Sequence, residues 1–162
     1  MTESEPNVET ELPRSGRLVG IDFGTVRIGL SICDLTQRWV TPYETYTRRS
    51  EESDADYLLD LAEKERIVGW VVGLPIHCDG QESQKSKEAR AFAKWLGDLS
   101  QLPIVMHDER FSTNEARQLL RDTGLSSSKK KRNLDRLAAH LILTNYLEAT
   151  QRNEPIQRLD DI

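Results

Sequence analysis

The chain has 162 residues, of which 37% are hydrophobic and 30% charged, and these values fit one soluble globular domain with a substantial core. No apolar run approaches the ~20 residues that a membrane helix needs, and the N-terminus lacks the basic and apolar regions of a secretory signal. Only Cys33 and Cys78 occur, with no CxxC pair, which argues against a disulfide framework or a zinc cluster. We therefore expect a cytoplasmic protein that does not contact membranes.

The net charge of −5 by itself argues against a nucleic-acid partner, but its distribution matters more than its sum. Residues 1–15 carry a net −3 and residues 151–162 a net −1, which leaves −1 for residues 16–150. Within that segment, the run Lys129-Lys130-Lys131-Arg132 is densely basic. Such a run suits a polyanion partner, although a solvated loop would explain it about equally well.

The first part of the chain predicts a tail and three strands. Residues 1–15 are polar, acidic and proline-containing, so we expect them to be disordered. Residues 17–23 and 27–33 are typical of two strands joined by a short turn. Residues 38–47 are rich in β-branched and aromatic types and suit an edge strand, where Pro42 is tolerable.

The rest of the domain alternates helices and strands, and a flexible tail is expected at 151–162. The apolar periodicity and the cap signals predict helix 53–66, strand 67–72, helix 83–99, strand 103–107, a helix from about 113 to Gly124, and a final helix 131–150. Three meandering strands followed by such alternation indicate an α/β domain over residues 16–150, with a mixed sheet flanked by helices.

The stretch around Asp22 is the most informative in the chain. An apolar run places this carboxylate near the end of the first strand, and the chain then turns back into a second apolar run. Burying an unpaired carboxylate costs several kcal/mol, so a cation partner is expected. Gly24 permits the tight turn, and Gly29 suits a bulge or a close backbone approach in the return strand.

Three acids from distant segments are predicted to converge. Asp22 closes the first strand, Glu109 follows the last strand, and Asp135 lies near the start of the final helix. Sites in α/β sheets gather beyond the carboxyl ends of the strands, and clustered carboxylates need a divalent cation to offset their repulsion. Oxygen ligands favour Mg²⁺ or Mn²⁺. Taken singly, Asp22 could cap its turn, Glu109 could pair with Arg110, and Asp135 could favour the positive end of its helix.

Four blocks in this order resemble the YqgF family, whose members are described as pre-16S ribosomal RNA nucleases or Holliday junction resolvases. The blocks are Asp22-Phe23-Gly24-Thr25-x-Arg27-Ile28-Gly29, Val71-Val72-Gly73-Leu74-Pro75, Asp108-Glu109-Arg110-x-Ser112-Thr113 and Asp135-x-x-Ala138-Ala139. The resemblance spans roughly residues 16–150. It implies a ribonuclease H-like fold with a five-stranded mixed sheet in the order 3-2-1-4-5.

The resemblance also implies a site made of Asp22, Glu109 and Asp135. Glu109 is preferred over Asp108 because successive strand residues face opposite ways. The expected reaction is hydrolysis of a phosphodiester with two Mg²⁺ or Mn²⁺ ions, which would activate a water and stabilise the leaving oxygen. Further side chains are expected to contact the nucleic acid: Thr25, Arg27, Arg110, Ser112 and Thr113 near the phosphate, and Lys129, Lys130, Lys131 and Arg132 along the backbone. Salt bridges or caps could explain several of these.

Other functions compete with this hypothesis. Asp22-Phe23-Gly24-Thr25 also resembles the first phosphate loop of actin-like ATPases and sugar kinases, which need two such domains, whereas this chain has room for one. A non-catalytic assembly factor that binds nucleic acid would keep the same fold. Within the nuclease hypothesis, the family resemblance alone favours structured RNA, and branched DNA is the alternative because no residue pattern distinguishes the 2′-hydroxyl. No dimer interface can be read, so a monomer or weak homodimer is expected. The three tryptophans are expected to pack in the core or at its edge.

Overall fold

The computed structural model describes residues 12–75, 83–108 and 127–150. These residues form five strands and three helices, in the order β1 Arg17–Asp22, β2 Arg27–Cys33, β3 Val40–Thr47, α1 Glu51–Lys64, β4 Ile67–Leu74, α2 Gln84–Ser100, β5 Ile104–Asp108 and α3 Ser127–Ala149. The predicted helix at 113–124 and most of both predicted tails lie outside the described residues. Among the described helices, none has the length and apolarity that crossing a bilayer requires.

The five strands form one mixed sheet in the order β3-β2-β1-β4-β5, which confirms the predicted order. The first three strands pair antiparallel as two successive hairpins, and β4 and β5 run parallel to β1. Helices α1 and α2 supply the crossovers into β4 and β5, as parallel neighbours require. The carboxyl ends of β1, β4 and β5 therefore share one edge of the sheet.

Each face of the sheet has its own apolar core. On one face, Val19, Ile21, Trp70 and Val72 pack with Leu58 of α1 and Phe92 and Leu96 of α2. On the other face, Leu18, Cys33 and Val71 pack with Ile142, Leu143 and Leu147 of α3. Because side chains alternate along a strand, consecutive residues of β1 belong to different cores. We call these the two-helix face and the α3 face.

Several predicted boundaries differ from the structure. Strand β3 begins at residue 40 rather than 38, because the Asp34 carboxylate accepts hydrogen bonds from the backbone N–H of Arg38 and Trp39 and holds a turn there. Helix α1 begins at residue 51 rather than 53, where the Ser50 hydroxyl caps it. The packed domain also starts before residue 16, since Leu12 is buried in the α3-face core.

Candidate active site

Asp22 lies at the carboxyl end of β1 and its side chain is half-buried. Leu18 belongs to the α3-face core, and a side chain at Gly20 would point at Leu143 of α3. Alternation therefore directs Asp22 to the α3 face as well, while Phe23 joins the core of the two-helix face. The end of β1 thus presents a carboxylate to one face and an aromatic ring to the other.

Helix α3 approaches the sheet over three small residues, Gly20, Gly29 and Ser31, which we call the small-residue strip. A Cβ built on Gly20 would lie 2.8 Å from the carbonyl oxygen of Ala139, and one on Gly29 would lie 2.0 Å from the carbonyl oxygen of Asp135. The Ser31 hydroxyl donates to the carbonyl of Ala139 at 2.7 Å. Larger side chains would lift the helix, so the strip fixes its distance from β1 and β2.

The strip brings Asp135 to the same corner as Asp22. In the β1–β2 pairing, Gly29 lies directly opposite Asp22, and facing residues of such a pair have Cα atoms about 4.5–5.5 Å apart. The Cβ of Asp135 would lie 3.0 Å from a Cβ on Gly29. Both acids therefore neighbour Gly29 on the α3 face. The close approach expected at Gly29 is therefore present, and it brings Asp135 against the residue that pairs with Asp22.

Arg27 is engaged with Asp135. Its Nε donates to Asp135 Oδ2 at 2.9 Å, and both side chains are partly buried. Arg27 stands at the start of β2 and Asp135 in the third turn of α3, so the ion pair ties the helix to the hairpin. We call the region around Asp22, Gly29 and Asp135 the acidic corner. The sequence left a phosphate contact and a salt bridge open for Arg27, and the structure shows a salt bridge to Asp135.

The turn after Asp22 is held from the two-helix face by Arg48. The Arg48 backbone N–H donates to the carbonyl of Val26 at 2.8 Å, its guanidinium reaches the carbonyl of Gly24 at 3.5 Å, and it lies 5.2 Å from the ring centroid of Phe23. A Cβ on Gly24 would lie 2.4 Å from the carbonyl oxygen of Arg27, so the predicted tight turn does require glycine. Arg48 was not singled out in the sequence, because no motif surrounds it.

Asp54 in turn anchors Arg48. This carboxylate is only 2% exposed and accepts hydrogen bonds from Arg48 Nε at 3.1 Å, the Tyr46 hydroxyl at 2.8 Å and the backbone N–H of Arg49 at 3.0 Å. Burial alone would raise the pKa of Asp54, but these donors outweigh it and hold the pKa below its ordinary value. The carboxylate is thus charged and fully committed to the architecture behind the turn.

The end of β5 lies at the same edge of the sheet. Met106 packs with the two-helix core, and His107 contacts the Tyr146 ring of α3 edge-on at a centroid distance of 5.9 Å. Asp108 therefore alternates back to the two-helix face, where it is exposed. Burial lowers the pKa of His107, and the charge of Asp108 offsets part of that shift. Four predicted site residues lie outside the described residues: Glu109, Arg110, Ser112 and Thr113.

The basic run belongs to α3 rather than to the segment before it. The final helix begins at Ser127, not at residue 131, so residues 129–132 occupy its first two turns. Lysine and arginine are good helix formers, which explains why the helix extends through them. Lys129 is exposed, and the side chains of Lys130, Lys131 and Arg132 are not among those described.

Carboxylates at this corner fit a hard divalent cation. Asp22 and Asp135 supply oxygen donors from two elements that the small-residue strip holds together. Within the described ranges, no group of three or more histidine, cysteine, aspartate or glutamate side chains is arranged for a metal. A complete ligand set would thus need a further residue, and Glu109 is the one that the sequence predicts. Thr25, also predicted for this site, is exposed and lines a cavity on the two-helix face instead.

Comparisons with known proteins agree with this architecture. The RuvX family model, described as Holliday junction resolvase, matches residues 16–149. A protein of Rhodopirellula baltica named "Putative pre-16S rRNA nuclease" is 46% identical over 149 residues, covering 92% of this chain and 86% of the relative. A relative of the same name from Zymomonas mobilis is 39% identical, covering 85% and 84% of the two chains.

Solved structures agree in fold. The RuvC of T. thermophilus, in complex with a Holliday junction substrate, superposes with a TM-score of 0.52 at 12% identity, covering 87% of this chain and 99% of that one. The yeast mitochondrial Holliday junction resolvase Ydc2 gives 0.52 at 10% identity, covering 90% and 83%. The expected ribonuclease H-like fold is thereby confirmed. The family match over residues 16–149 and the identity of 46% to a relative show that the chain belongs to the RuvX (YqgF) family.

Proposed function

We propose that this nuclease hydrolyses phosphodiester bonds in structured RNA, with the precursor of 16S ribosomal RNA as its substrate, and that Asp22, Glu109 and Asp135 form its active site. The single observation that supports this site is the packing of α3 on the small-residue strip, which brings Asp135 against Gly29, the residue that pairs with Asp22. The names of the relatives at 46% and 39% identity support the substrate. Action on ribosomal RNA would place the protein in the cytoplasm.

The acids would hold Mg²⁺ or Mn²⁺, two ions in the full site. Bound divalent ions activate a water and stabilise the leaving oxygen in phosphodiester hydrolysis. Asp22 would lie between the other two ligands, because it stands at the end of the central strand with Asp135 on one side. Asp108 is a poorer candidate than Glu109 because it alternates to the opposite face of the sheet.

Arg27 would act as a positioning residue. Its bond to Asp135 Oδ2 would hold the orientation of that carboxylate, as partners of metal ligands commonly do. Arg110, Ser112 and Thr113 keep the role expected from the sequence, which is to hold the phosphate. Thr25, on the rim of the turn, would contact the substrate on the other side of that turn.

Residues 129–132 would bind the nucleic-acid backbone. Positive charge in the first turns of a helix opposes the helix dipole, so these residues do not stabilise α3 electrostatically. A polyanion lying across the start of the helix would remove that penalty and would also meet the corner that Asp135 occupies. Backbone contacts of this kind give affinity without sequence information.

The direct test is cleavage of matched substrates in Mg²⁺ or Mn²⁺: a structured RNA spanning the 5′ end of 16S ribosomal RNA, a DNA of the same sequence, and a four-way DNA junction. We expect cleavage of the RNA, and a loss of roughly a thousandfold or more in Asp22→Asn, since metal-assisted charge stabilisation contributes several kcal/mol. Asp56→Asn, an exposed acid of α1, is the matched control and should cleave normally.

Resolution of Holliday junctions is the second candidate, favoured by the description of the family model. Paired symmetric nicks in the junction, with the RNA left intact, would establish that function and overturn the RNA proposal. Normal cleavage by Asp22→Asn would overturn both, because they share one site. No cleavage of any substrate by the wild-type protein would favour the non-catalytic assembly factor.

A further inference from the structure

A second concave site lies on the two-helix face, just across the sheet from the acidic corner. It is a cavity of about 340 Å³ between the turn after β1, the start of α1 and the middle of α2. That volume is near the lower end of the range for small-ligand sites, roughly 300–1,000 Å³. Phe23, Phe92 and Trp95 form its apolar wall, and Arg48, Glu51 and Glu88 stand around them. None of these six residues has a part in the acidic corner.

The wall is a continuous set of aromatic rings. Phe23 and Phe92 stack with centroids 4.7 Å apart, and the Trp95 ring follows at 5.7 Å from Phe92. Phe23 and Phe92 are buried, whereas Trp95 is only partly covered. Single-stranded nucleic acids bind proteins largely by stacking unpaired bases on such rings and on arginine planes. The wall therefore suits a flat aromatic ligand.

The charges around the wall exclude a phosphate. Arg48 is already paired with the buried carboxylate of Asp54 at 3.1 Å, so its charge is balanced inside the protein. The side chains of Glu51 and Glu88 add two carboxylates, and Glu88 accepts a long hydrogen bond of 3.4 Å from Gln84. Carboxylates repel phosphate oxygens and accept hydrogen bonds from N–H groups. The preferred ligand is a neutral ring with N–H donors at its edge.

Guanine matches that requirement better than uracil does. Its N1–H and its exocyclic amino group are adjacent donors that one carboxylate can accept together. Uracil presents a single N–H between two carbonyl oxygens, which a carboxylate repels. Reading a base by its pairing edge while stacking it on aromatic side chains is a common mode for extruded or unpaired nucleotides.

The cavity is next to the acidic corner along the chain. Phe23 follows Asp22 directly, and consecutive Cα atoms are about 3.8 Å apart, with the two side chains on opposite faces. A strand of nucleic acid that crosses the turn at residues 23–26 would have one phosphate at Asp22 and a flanking base in the cavity, against the partly covered ring of Trp95. Thr25 is exposed on that path and lines the cavity.

We propose that this cavity binds one unpaired guanine that flanks the phosphate held at the acidic corner. The inference rests on the proposed nuclease function for its setting, and it sharpens the substrate to RNA with an unpaired guanine at the cleavage site.

The test uses binding without divalent ions, so that catalysis plays no part. Two fluorescein-labelled RNA heptanucleotides are compared in EDTA, with guanine or uracil at the centre of an otherwise uracil sequence. The wild-type protein should bind the central-guanine RNA about tenfold more tightly, the lower part of the range for one bidentate base contact. Trp95→Leu, which keeps an apolar side chain, should weaken that binding about fivefold by removing the stack.

A pair of double variants isolates the carboxylates. Glu51→Gln with Glu88→Gln should reduce the guanine preference to below about twofold. Glu52→Gln with Glu63→Gln makes the same change of charge at exposed acids of α1 that do not line the cavity, and should keep the preference. Thermal melting of all variants shows whether the fold is retained.

The outcomes separate this inference from the proposed function. Equal binding of the two RNAs by the wild type, or an equal loss of preference in both double variants, would overturn the base site even if RNA is cleaved. Guanine-selective binding that depends on Glu51 and Glu88, in a protein that cleaves no RNA, would support the base site and overturn the nuclease function.

Discussion

The two faces of the sheet are closed in different ways where β1 ends. On the α3 face, the strands carry Gly20, Gly29 and Ser31, and one helix lies close to the backbone with a carboxylate at the corner. On the two-helix face, β1, β2 and the turn between them carry large side chains such as Ile21, Phe23 and Leu30. The α3 face therefore positions acids, and the two-helix face leaves a cavity lined by aromatic rings.

The difference shows how one turn can serve two tasks. Asp22 and Phe23 are consecutive, and the alternation of the strand sends one to the acidic corner and the other to the cavity. The acidic corner requires glycine at position 29, because a single Cβ there would collide with Asp135. The cavity depends on a network of bonds around Asp54, which fixes Arg48 and with it the turn. A different substitution should therefore disrupt each face, at Gly29 for the α3 face and at Asp54 for the two-helix face.

The largest effect should come from adding one carbon to the α3 face, at Gly29. In Gly29→Ala, the new Cβ would lie 2.0 Å from the carbonyl oxygen of Asp135, so α3 must shift and take Asp135 with it. We expect a loss of about 3 kcal/mol in the free energy of unfolding and at least about a hundredfold in cleavage. Urea titration and cleavage assays measure the two.

Gly97→Ala is the matched control on the two-helix face. Its Cβ would meet the side-chain methyl group Cγ2 of Ile104 at 3.1 Å, and alanine is the better helix former, so this variant should be as stable as the wild type. Equal stability of both alanine variants would show that α3 does not depend on the strip.

On the two-helix face, the residue whose substitution should have a comparable effect on stability is Asp54. Asp54→Ala leaves Arg48 and the Tyr46 hydroxyl without their buried acceptor, and should lower the free energy of unfolding by about 3 kcal/mol. Because its pKa is held below 3.8, the carboxylate contributes fully above about pH 4, and that contribution is lost as the pH falls through the lowered pKa. The variant should therefore lose less stability than the wild type on acidification below pH 4. Equilibrium unfolding at several pH values tests this.

A smaller effect is expected from the ion pair at the acidic corner. Arg27→Gln removes the charge that orients Asp135, and should reduce cleavage about tenfold while RNA binding in EDTA stays within twofold. A phosphate-binding role for Arg27 would give the reverse, with binding weakened and its salt dependence reduced. Comparing the two readouts in one variant separates positioning from substrate contact.

The smallest effect is expected for His107, at the end of β5, and concerns the pH dependence of stability. Burial lowers its pKa below 6.5, so the unfolded chain takes up the proton first and stability falls as the pH drops through 6.5. His140, also lowered by burial, acts in the same direction. His107→Phe keeps a ring against Tyr146 and should remove part of this slope, by less than about 1 kcal/mol between pH 7 and pH 5. An unchanged slope would assign it to other groups.

The sequence predicted most of the fold and one part of the site. Apolar periodicity, cap signals and β-branched composition located all the described strands and helices. Asp22 and Gly29 could be singled out because each interrupts an apolar run, and Asp135 because it lies near the start of the final predicted helix. The sequence did not predict the ion pair between Arg48 and Asp54, because the two residues meet only once α1 has folded and no motif surrounds them. The start of α3 was placed four residues late, because a basic run gives no apolar periodicity although it continues a helix. Nor could alternation alone show that Phe23 would line a cavity.

Binding of Mn²⁺ tests the central claim, that Asp22 and Asp135 share divalent ions at the corner formed by the small-residue strip. Free Mn²⁺ is followed by electron paramagnetic resonance in the wild type and in Asp22→Asn, Asp135→Asn and Asp108→Asn. The first two variants should each bind Mn²⁺ at least about tenfold more weakly. Asp108→Asn, which changes an acid on the opposite face, should match the wild type. Unchanged binding in Asp22→Asn and Asp135→Asn, or a loss confined to Asp108→Asn, would contradict the claim.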